Sequence, residues 1–292
     1  MGNSVFVSVG GLRIHCLAWP GDSARAPFVL LHGLASNARF WEMVAERLAD
    51  AGHPVYVPDL RGHGLSDKPD GGYDFATVSN DTRLLVEALG LDQVILAGHS
   101  WGGMVALDYA TRHNPAALAV VDGGIAQISD YPGATWERAE QALTPPRLAG
   151  TLLADFVTRV QGPGPQARLN DRQLGIVLAN FAISPDGTIA PYLTFERHMR
   201  VVRFIWEYRT YAAFDRLDCP VLMVAARPLN LRRPQDEAYL ELKRRGEAQA
   251  RERIADLEFV WLEGADHDVP LFRPEELTDL LLRLADRVYS QR

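Results

Sequence analysis

The segment from Val94 to His113 constrains the fold of this chain more than any other part of the sequence. It begins with four apolar residues, a run typical of a strand buried on both faces. Gly98-His99-Ser100-Trp101-Gly102-Gly103 follows at once, and residues 104–113 then have helical spacing without a breaker. A sharp turn needs glycines beside its central residue, because side chains there would collide with neighbouring backbone. The segment therefore predicts a strand, a tight turn that exposes Ser100 at a helix N-terminus, and a helix.

Other apolar runs of strand length alternate with segments of helical periodicity along much of the chain. The first two runs flank Gly10-Gly11 and predict a hairpin. The strand-like runs are Val5–Val9, Leu12–Trp19, Phe28–Leu31, Val55–Val57 and Val221–Val224, and the helical periods are carried by Trp41, Val44 and Leu48, by Phe75, Val78, Leu85 and Leu89, and by Leu277, Leu280, Leu281, Leu284 and Val288. The alternation predicts an α/β class, with a mostly parallel central sheet flanked by helices.

From about Gly123 to Leu217 this alternation gives way to helix-like segments that Pro-rich turns interrupt, at Thr144-Pro145-Pro146 and Gly162–Pro165. We interpret residues 123–217 as a helical cap inserted into one domain, which residues 1–122 and 218–292 form. Aromatic residues of the insertion either line a pocket that faces the main domain or pack the insertion itself, and the sequence leaves both alternatives open. They include Phe156, Phe181, Tyr192, Phe195, Trp206 and Tyr211.

Composition and charge argue against several classes of protein. The chain is 47% hydrophobic and 23% charged, as ordinary globular proteins are, and its formal net charge is −7 without a long basic run. Nucleic acid and anionic membrane are therefore not expected partners. No run of 18 apolar residues and no secretory signal occur, so we expect a soluble, cytoplasmic protein. The sequence does not indicate an oligomeric state.

The two cysteines and one charged segment are interpreted from their sequence surroundings. Cys16 and Cys219 each lie in an apolar run, where a lone thiol usually behaves as a small hydrophobe, so we interpret both as free and structural. The segment Gln235–Leu257 is rich in Glu, Lys and Arg and predicts a solvated helix.

The turn around Ser100 is one of four motifs that together resemble the α/β-hydrolase superfamily over nearly the whole chain. The others are Leu31-His32-Gly33-Leu34, Asp59-Leu60-Arg61-Gly62-His63-Gly64-Leu65-Ser66, and Gly264-Ala265-Asp266-His267-Asp268 after the last predicted strand. The resemblance implies the α/β-hydrolase fold, with Ser100 as nucleophile. It also implies that the backbone N–H groups of Leu34 and Trp101 form an oxyanion hole. Both donors belong to the main chain, so apolar side chains are compatible with the role.

A serine hydroxyl is a poor nucleophile at neutral pH, so a base must remove its proton as it attacks. Of the eight histidines, His267 lies after the final predicted strand, Glu258–Leu262, where the resemblance implies the base. His32 and His63 lie in loops to which the resemblance gives structural roles. His99 adjoins the nucleophile, but the sharp turn points it away.

The acid departs from the commonest pattern of the superfamily. Many relatives carry it after the strand that corresponds to Val221–Val224, but the following residues, 225–230, include no carboxylate. A known alternative places the acid one strand earlier, and Asp122 ends that strand, which preserves the order Ser, acid, His. Asp236 is the reserve candidate, if the loop after Asn230 folds back. Asp122 precedes two glycines, so a plain turn aspartate is the competing interpretation.

These residues predict hydrolysis of a small-molecule ester or lactone by a Ser100, His267 and Asp122 triad, with no metal and no organic cofactor required. Serine in place of aspartate at position 100 disfavours haloalkane dehalogenase and epoxide hydrolase chemistry, which the resemblance links to a nucleophilic carboxylate. Thioesterases, amidases and carbon–carbon bond hydrolases use the same triad, so these alternatives stay open. A ligand-binding receptor on the same fold is the alternative from a different class.

Overall fold

The computed structural model describes residues 2–162, 169–229 and 234–290. Most of the turn predicted at Gly162–Pro165, together with Asn230, lies outside these residues. Within them, no helix combines the length and the apolar character that crossing a bilayer requires.

The strands are numbered in chain order. They are β1 (Asn3–Val9), β2 (Leu12–Trp19), β3 (Phe28–Leu31), β4 (Val55–Pro58), β5 (Ile95–His99), β6 (Ala117–Val121), β7 (Thr151–Leu152), β8 (Phe181–Ile183), β9 (Thr188–Pro191), β10 (Val221–Arg227) and β11 (Leu257–Glu263). Eight of them form one sheet in the order β1-β2-β4-β3-β5-β6-β10-β11. The pairs β1–β2 and β2–β4 are antiparallel, whereas the pairs from β4 to β11 are parallel. The predicted hairpin and the mostly parallel sheet are therefore confirmed.

Helices occupy both faces of this sheet. They are α1 (Glu42–Asp50), α2 (Phe75–Ala88), α3 (Trp101–Ala110), α4 (Trp136–Leu143), α5 (Leu153–Val160), α6 (Asp171–Leu178), α7 (Phe195–Glu207), α8 (Thr210–Phe214), α9 (Pro234–Arg253), α10 (Val269–Phe272) and α11 (Pro274–Ser290), with 3₁₀ turns at Ala38–Trp41 and Ile128–Asp130. Apolar residues of α1 and α11 belong to the core cluster on one face, and those of α2 and α3 belong to the cluster on the other. Alternation along β3 places Leu30 in the first cluster and Leu31 in the second, which explains its uninterrupted apolar sequence.

The segment between β6 and β10 contains strands as well as helices. Strands β7, β9 and β8 form a small antiparallel sheet that hydrophobic periodicity does not predict, because strands of two to four residues are too short to show a period. Several aromatic residues of the segment between β6 and β10 pack against each other. The rings of Phe156 and Phe181 lie 4.8 Å apart, and those of Trp136 and Trp206 lie 6.5 Å apart. The division of the chain at residues 123 and 217 stays a prediction.

Helix α9 differs from the solvated helix that its charged sequence predicts, because one of its faces is buried. Leu240, Lys243 and Ala250 lie on this face, whereas most of the arginines and glutamates between them are exposed or half-buried. Gly246 permits the contact: a Cβ atom there would lie 2.2 Å from the carbonyl oxygen of Ile125. The helix therefore packs against the chain that follows β6.

Two turns meet at the carboxyl edge of the sheet, one after β5 and one after β6. Because these neighbouring strands are parallel, both turns leave the sheet on the same side. They approach so closely that a Cβ atom on Gly123 would lie 2.0 Å from the carbonyl oxygen of Ser100. Only glycine fits between them without moving the backbone.

We therefore expect Gly123→Ala to lower the free energy of unfolding by about 3 kcal/mol, because one turn must shift to admit the methyl group. Urea denaturation checks this value. Gly71→Ala is the matched control, since no atom lies within 4 Å of the Cβ position there and the exchange should be nearly neutral. Equal stability of the Gly123 variant and wild type would contradict the close approach of the turns.

Candidate active site

Ser100 lies in the tight turn between β5 and α3, in a backbone conformation that residues with side chains rarely adopt. Its φ angle is 54°, and its N–H donates to the carbonyl of Val121 on the neighbouring strand at 2.9 Å. The flanking glycines are required sterically. A Cβ atom on Gly98 would lie 2.1 Å from the carbonyl oxygen of Gly102, and one on Gly102 would lie 2.4 Å from that of His32. The turn thus holds the Ser100 hydroxyl above the sheet, as the sequence predicts.

A chain of hydrogen bonds runs from Ser100 through His267 to Asp122. The Nε2 atom of His267 lies 3.0 Å from the Ser100 hydroxyl, and its Nδ1 atom lies 2.7 Å from Oδ2 of Asp122. A carboxylate only accepts, so Nδ1 carries the proton and Nε2 is left to accept from the hydroxyl. The structure thus brings together the three residues that the sequence selected as nucleophile, base and acid.

Asp122 is the most constrained member of this chain of hydrogen bonds. Its φ angle is 46° and its side chain is 1% exposed. The Oδ1 atom accepts from the N–H of Ala226 at 2.8 Å and from Nζ of Lys243 at 2.7 Å. Burial alone would raise the pKa of this carboxyl, but the hydrogen bond from His267 and the charge of Lys243 lower it to about 2. Asp122 is therefore ionised at neutral pH.

The reserve candidate for the acid does not occupy this position. Asp236 lies in the first turn of α9, whereas the carboxylate bonded to the imidazole of His267 is that of Asp122. The region where relatives commonly carry the acid contributes to the site in another way, because its Ala226 N–H binds the carboxylate of Asp122.

His267 is half exposed, with 49% of its side chain accessible. Desolvation would lower the pKa of this imidazole, but the hydrogen bond and the negative charge of Asp122 outweigh that effect and raise it. The proton on Nδ1 is thus held by a buried anion, while Nε2 faces the open side of the site.

The segment that carries Leu34 is held by two buried histidines. His32 donates from Nδ1 to the carbonyl of Gly33 at 2.8 Å and accepts the N–H of Leu60 at Nε2. His63 accepts the N–H of Ala35 at 3.2 Å and donates from Nδ1 to a carbonyl of its own loop. Burial lowers the pKa of both imidazoles, to about 3 for His63, so both are neutral. They are structural, as the resemblance implies.

Leu34 and Trp101 flank the serine from two sides. Leu34 lines a cavity beside Ser100, and Trp101 is the first residue of α3, where the N–H has no acceptor within the helix. In the described part of the chain, neither backbone N–H donates to a protein acceptor. The Trp101 side chain is buried and stacks on His63 at 5.3 Å. Both amides are therefore available for the oxyanion role that the sequence predicts.

His99 has a contact that sequence reasoning missed. Its ring lies 4.7 Å from that of His267, and its Nε2–H donates to the backbone carbonyl of His267 at 2.9 Å rather than to the Ser100 hydroxyl. Burial lowers its pKa to about 3, so it stays neutral. His99, His267 and Asp268 also place one potential metal-ligand atom each within 4.8 Å of one another. The nitrogens of His267 already bind Ser100 and Asp122, and a metal ion at this cluster would compete with those contacts.

The contact between Lys243 and Asp122 is the second contact of the site that sequence reasoning missed. The spacing of Leu240, Lys243 and Ala250 places the lysine on the same helix face as two small or apolar residues. That spacing was the available signal, but the many charges of the segment obscured it.

Two cavities meet at Ser100 and His267. The first, about 230 Å³, is lined by polar groups such as Ser36 and Asn180 together with apolar ones. The second, about 180 Å³, is mainly apolar, and residues 123–217 contribute Ile125, Ile128, Leu143 and Ile205 to it. None of the six aromatic residues singled out in the sequence of this segment lines either cavity among the described residues. Phe195 lines another cavity, within the insertion, and the packing alternative describes the other five better.

Comparisons with known proteins identify a matching family and similar sequences. Residues 28–280 match the family model described as "Alpha/beta hydrolase family". A soluble epoxide hydrolase of Corynebacterium sp. (strain C12) is 41% identical over 102 residues, which are 35% of this chain and 34% of that protein. The chain spans about a third of the length of the curated relatives that it matches.

Solved structures share the fold along the whole chain. The crystal structure of E-2-(acetamidomethylene)succinate hydrolase has a TM-score of 0.75 at 21% identity and covers 98% of this chain and 100% of its own. An esterase from Exiguobacterium antarcticum has a TM-score of 0.70 at 21% identity, with 98% and 100% covered. At these identities the likeness concerns the fold.

The geometry of Asp122 and His267 predicts how the imidazole titrates. We expect NMR titration to give His267 a pKa above the ordinary value of about 6.5, because the buried anion stabilises the imidazolium. Asp122→Asn should lower this pKa, since the amide carries no charge, and Asp236→Asn should leave it nearly unchanged. The His267 signal is assigned by its loss in His267→Gln. A lower pKa in the Asp236 variant alone would reverse the assignment of the acid.

Proposed function

This chain belongs to the alpha/beta hydrolase family, and we propose that it is a serine hydrolase that cleaves a carboxylic ester or lactone through an acyl-enzyme on Ser100. The observation that carries the proposal is the hydrogen-bond chain from Ser100 through His267 to a buried, ionised Asp122. Such a chain is the arrangement by which a neutral hydroxyl becomes a nucleophile at neutral pH.

In the proposed first half-reaction, the Ser100 oxygen attacks the carbonyl carbon as Nε2 of His267 removes the hydroxyl proton. Asp122 accepts the Nδ1–H throughout, so it holds the ring in position and stabilises the imidazolium. The backbone N–H groups of Leu34 and Trp101 donate to the developing oxyanion. His267 then gives its proton to the leaving alcohol, and the acyl group stays on Ser100.

The second half-reaction repeats these roles with water as the nucleophile. His267 accepts a proton from water as the water oxygen adds to the acyl carbon. The tetrahedral intermediate then collapses, the bond between the acyl carbon and the Ser100 oxygen breaks, and His267 returns the proton to that oxygen, which releases the acid and restores the Ser100 hydroxyl. Half the His267 side chain is exposed, so water reaches Nε2 once the alcohol has left. No step requires a metal or an organic cofactor.

Epoxide hydrolase and dehalogenase chemistry fit this chain less well, although relatives carry those names. The family resemblance links those reactions to a carboxylate nucleophile, and this chain has serine at the tight turn. An esterase with a similar fold supports the proposal of ester hydrolysis, because its architecture is the same. The two cavities that flank Ser100 provide separate spaces for the acyl and the alcohol parts of a substrate.

We expect Ser100→Ala to abolish hydrolysis and leave thermal stability nearly unchanged, because the exchange removes one oxygen from a half-buried turn. Wild type and variant are assayed against a matched panel of esters, lactones, thioesters and amides, and each is treated with a fluorophosphonate probe. Only wild type should be labelled, with the fastest turnover on esters or lactones. Thioesters turned over faster than oxygen esters would indicate a thioesterase. A labelled wild type inactive on every substrate would favour a carbon–carbon bond hydrolase, whereas an unlabelled, inactive wild type would favour a receptor.

The same assay tests the acid. Asp122→Asn should reduce turnover by roughly 10⁴, because an amide does not stabilise the imidazolium and favours the wrong ring tautomer. Asp236→Asn is the control and should change turnover little, since Asp236 is not the carboxylate bonded to His267. A large loss in the Asp236 variant with little change in the Asp122 variant would refute the proposed triad.

A further inference from the structure

Lys243 lies behind the acid of the proposed triad, in a position that ester hydrolysis by a serine triad does not itself require. Its side chain is 6% exposed, and its Nζ atom lies 2.7 Å from Oδ1 of Asp122. The same atom donates to the carbonyl of Ala226 at 3.0 Å and lies 5.0 Å from the ring centre of Tyr239. The ammonium group therefore faces an anion, a carbonyl and an aromatic ring, so its charge is directed at the acid.

The choice of lysine is unusual for this chain. Only two of its 30 basic residues are lysines, Lys68 and Lys243, and the rest are arginines. Both lysines are partly or fully buried and donate to backbone carbonyls. A compact ammonium group fits where a planar guanidinium fork does not. The Asp122 contact distinguishes Lys243 from Lys68, which has no carboxylate among its hydrogen-bond partners in the described residues.

Stability alone does not explain this buried ion pair. Removing two charges from water is expensive, and an apolar pair of similar volume often folds as well or better. A buried pair that persists beside Ser100 and His267 therefore calls for an explanation in the chemistry of the site.

We propose that Lys243 is a positioning residue that orients the carboxylate of Asp122 and balances its charge, an inference that rests on the function proposed above. Lys243 and the Ala226 N–H occupy Oδ1, so Oδ2 is left for His267. With one oxygen held on each side, the carboxylate does not rotate about its Cβ–Cγ bond, and the imidazole keeps one orientation.

The charge of Lys243 also limits the basicity of His267. Asp122 raises the pKa of the imidazole, and the positive charge of Lys243, on the far side of the carboxylate, opposes that increase. Without Lys243 an uncompensated anion would face His267. The proton would then be held more tightly, and a larger fraction of the base would be protonated at neutral pH.

Other titratable groups face this cluster from several elements. His99 on β5 is neutral, because burial lowers its pKa to about 3. Burial raises the pKa of Tyr239 on α9, so it is neutral as well. Asp268 follows His267; burial raises the pKa of its carboxyl, and its negative charge contributes to the raised pKa of His267. Among these groups His267 bonds the carboxylate of Asp122 directly, so its titration is the one that Lys243 influences through the acid.

The test compares wild type, Lys243→Met and the matched control Lys68→Met, which removes the chain's other lysine. In Lys243→Met we expect the NMR pKa of His267 to rise, so that the acid limb of kcat/KM moves to higher pH. We also expect kcat to fall by about 10- to 100-fold, the scale of a small misplacement of a catalytic group, with KM nearly unchanged. Lys68→Met should leave the His267 pKa and the acid limb in place. The NMR readout needs no substrate, so it tests this inference even if the proposed function fails.

A second comparison separates positioning from folding. Asp122→Asn and Asp122→Asn/Lys243→Met are compared, because the double variant leaves no unpaired buried charge and should fold even if Lys243→Met does not. If Lys243 acts through Asp122, adding the second exchange should change kcat little. An unchanged His267 pKa, or losses that multiply independently in the double variant, would overturn the inference. A rise in KM confined to anionic esters, with the pH profile unchanged, would instead make Lys243 a substrate-binding residue and overturn it as well.

Discussion

The carboxylate of Asp122 is the interaction on which the rest of the site depends. It joins four parts of the sheet edge: the turn after β6, the end of β10 through the Ala226 N–H, α9 through Lys243, and the loop after β11 through His267. A buried anion is stable only when its oxygens are fully hydrogen-bonded, so the charge itself requires these elements to meet. The site is therefore organised around Asp122 as much as around Ser100.

Backbone strain is concentrated at the same place. Ser100 and Asp122 both have positive φ angles, at the ends of two neighbouring parallel strands. Such conformations are unfavourable for residues with side chains and persist only where surrounding contacts hold them. The close approach of Gly123 to the Ser100 carbonyl is one such contact. It fixes the relative position of Ser100 and Asp122 without using either side chain.

Three buried histidines around the site are neutral hydrogen-bonding groups, whereas His267 titrates. His32, His63 and His99 are buried away from counter-charges strong enough to offset desolvation, and their pKa values fall. They hold the Leu34 segment and the His267 backbone in place. His267 differs because half of its side chain is exposed and because Asp122 bonds it directly. Environment therefore separates structural histidines from the proposed base.

The sequence by itself determined the elements whose signals are local. The Ser100 turn follows from glycine sterics, the buried strands follow from uninterrupted apolar runs, and the hairpin at Gly10-Gly11 follows from two residues. The order of Ser, acid and His, read with the family resemblance, selected Asp122, yet it left Asp236 as a reserve.

Only the tertiary structure decided which carboxylate bonds His267, because Asp122 and His267 are 145 positions apart and meet through the pairing of β6, β10 and β11. The tertiary structure also decided which face of α9 is buried. It alone revealed the small sheet formed by β7, β9 and β8, because these strands are too short to show a period. Local patterns depend on backbone sterics and side-chain period, which a sequence displays directly. Ion pairs and pKa values depend on burial and on distant partners, which only the packing of the folded chain supplies.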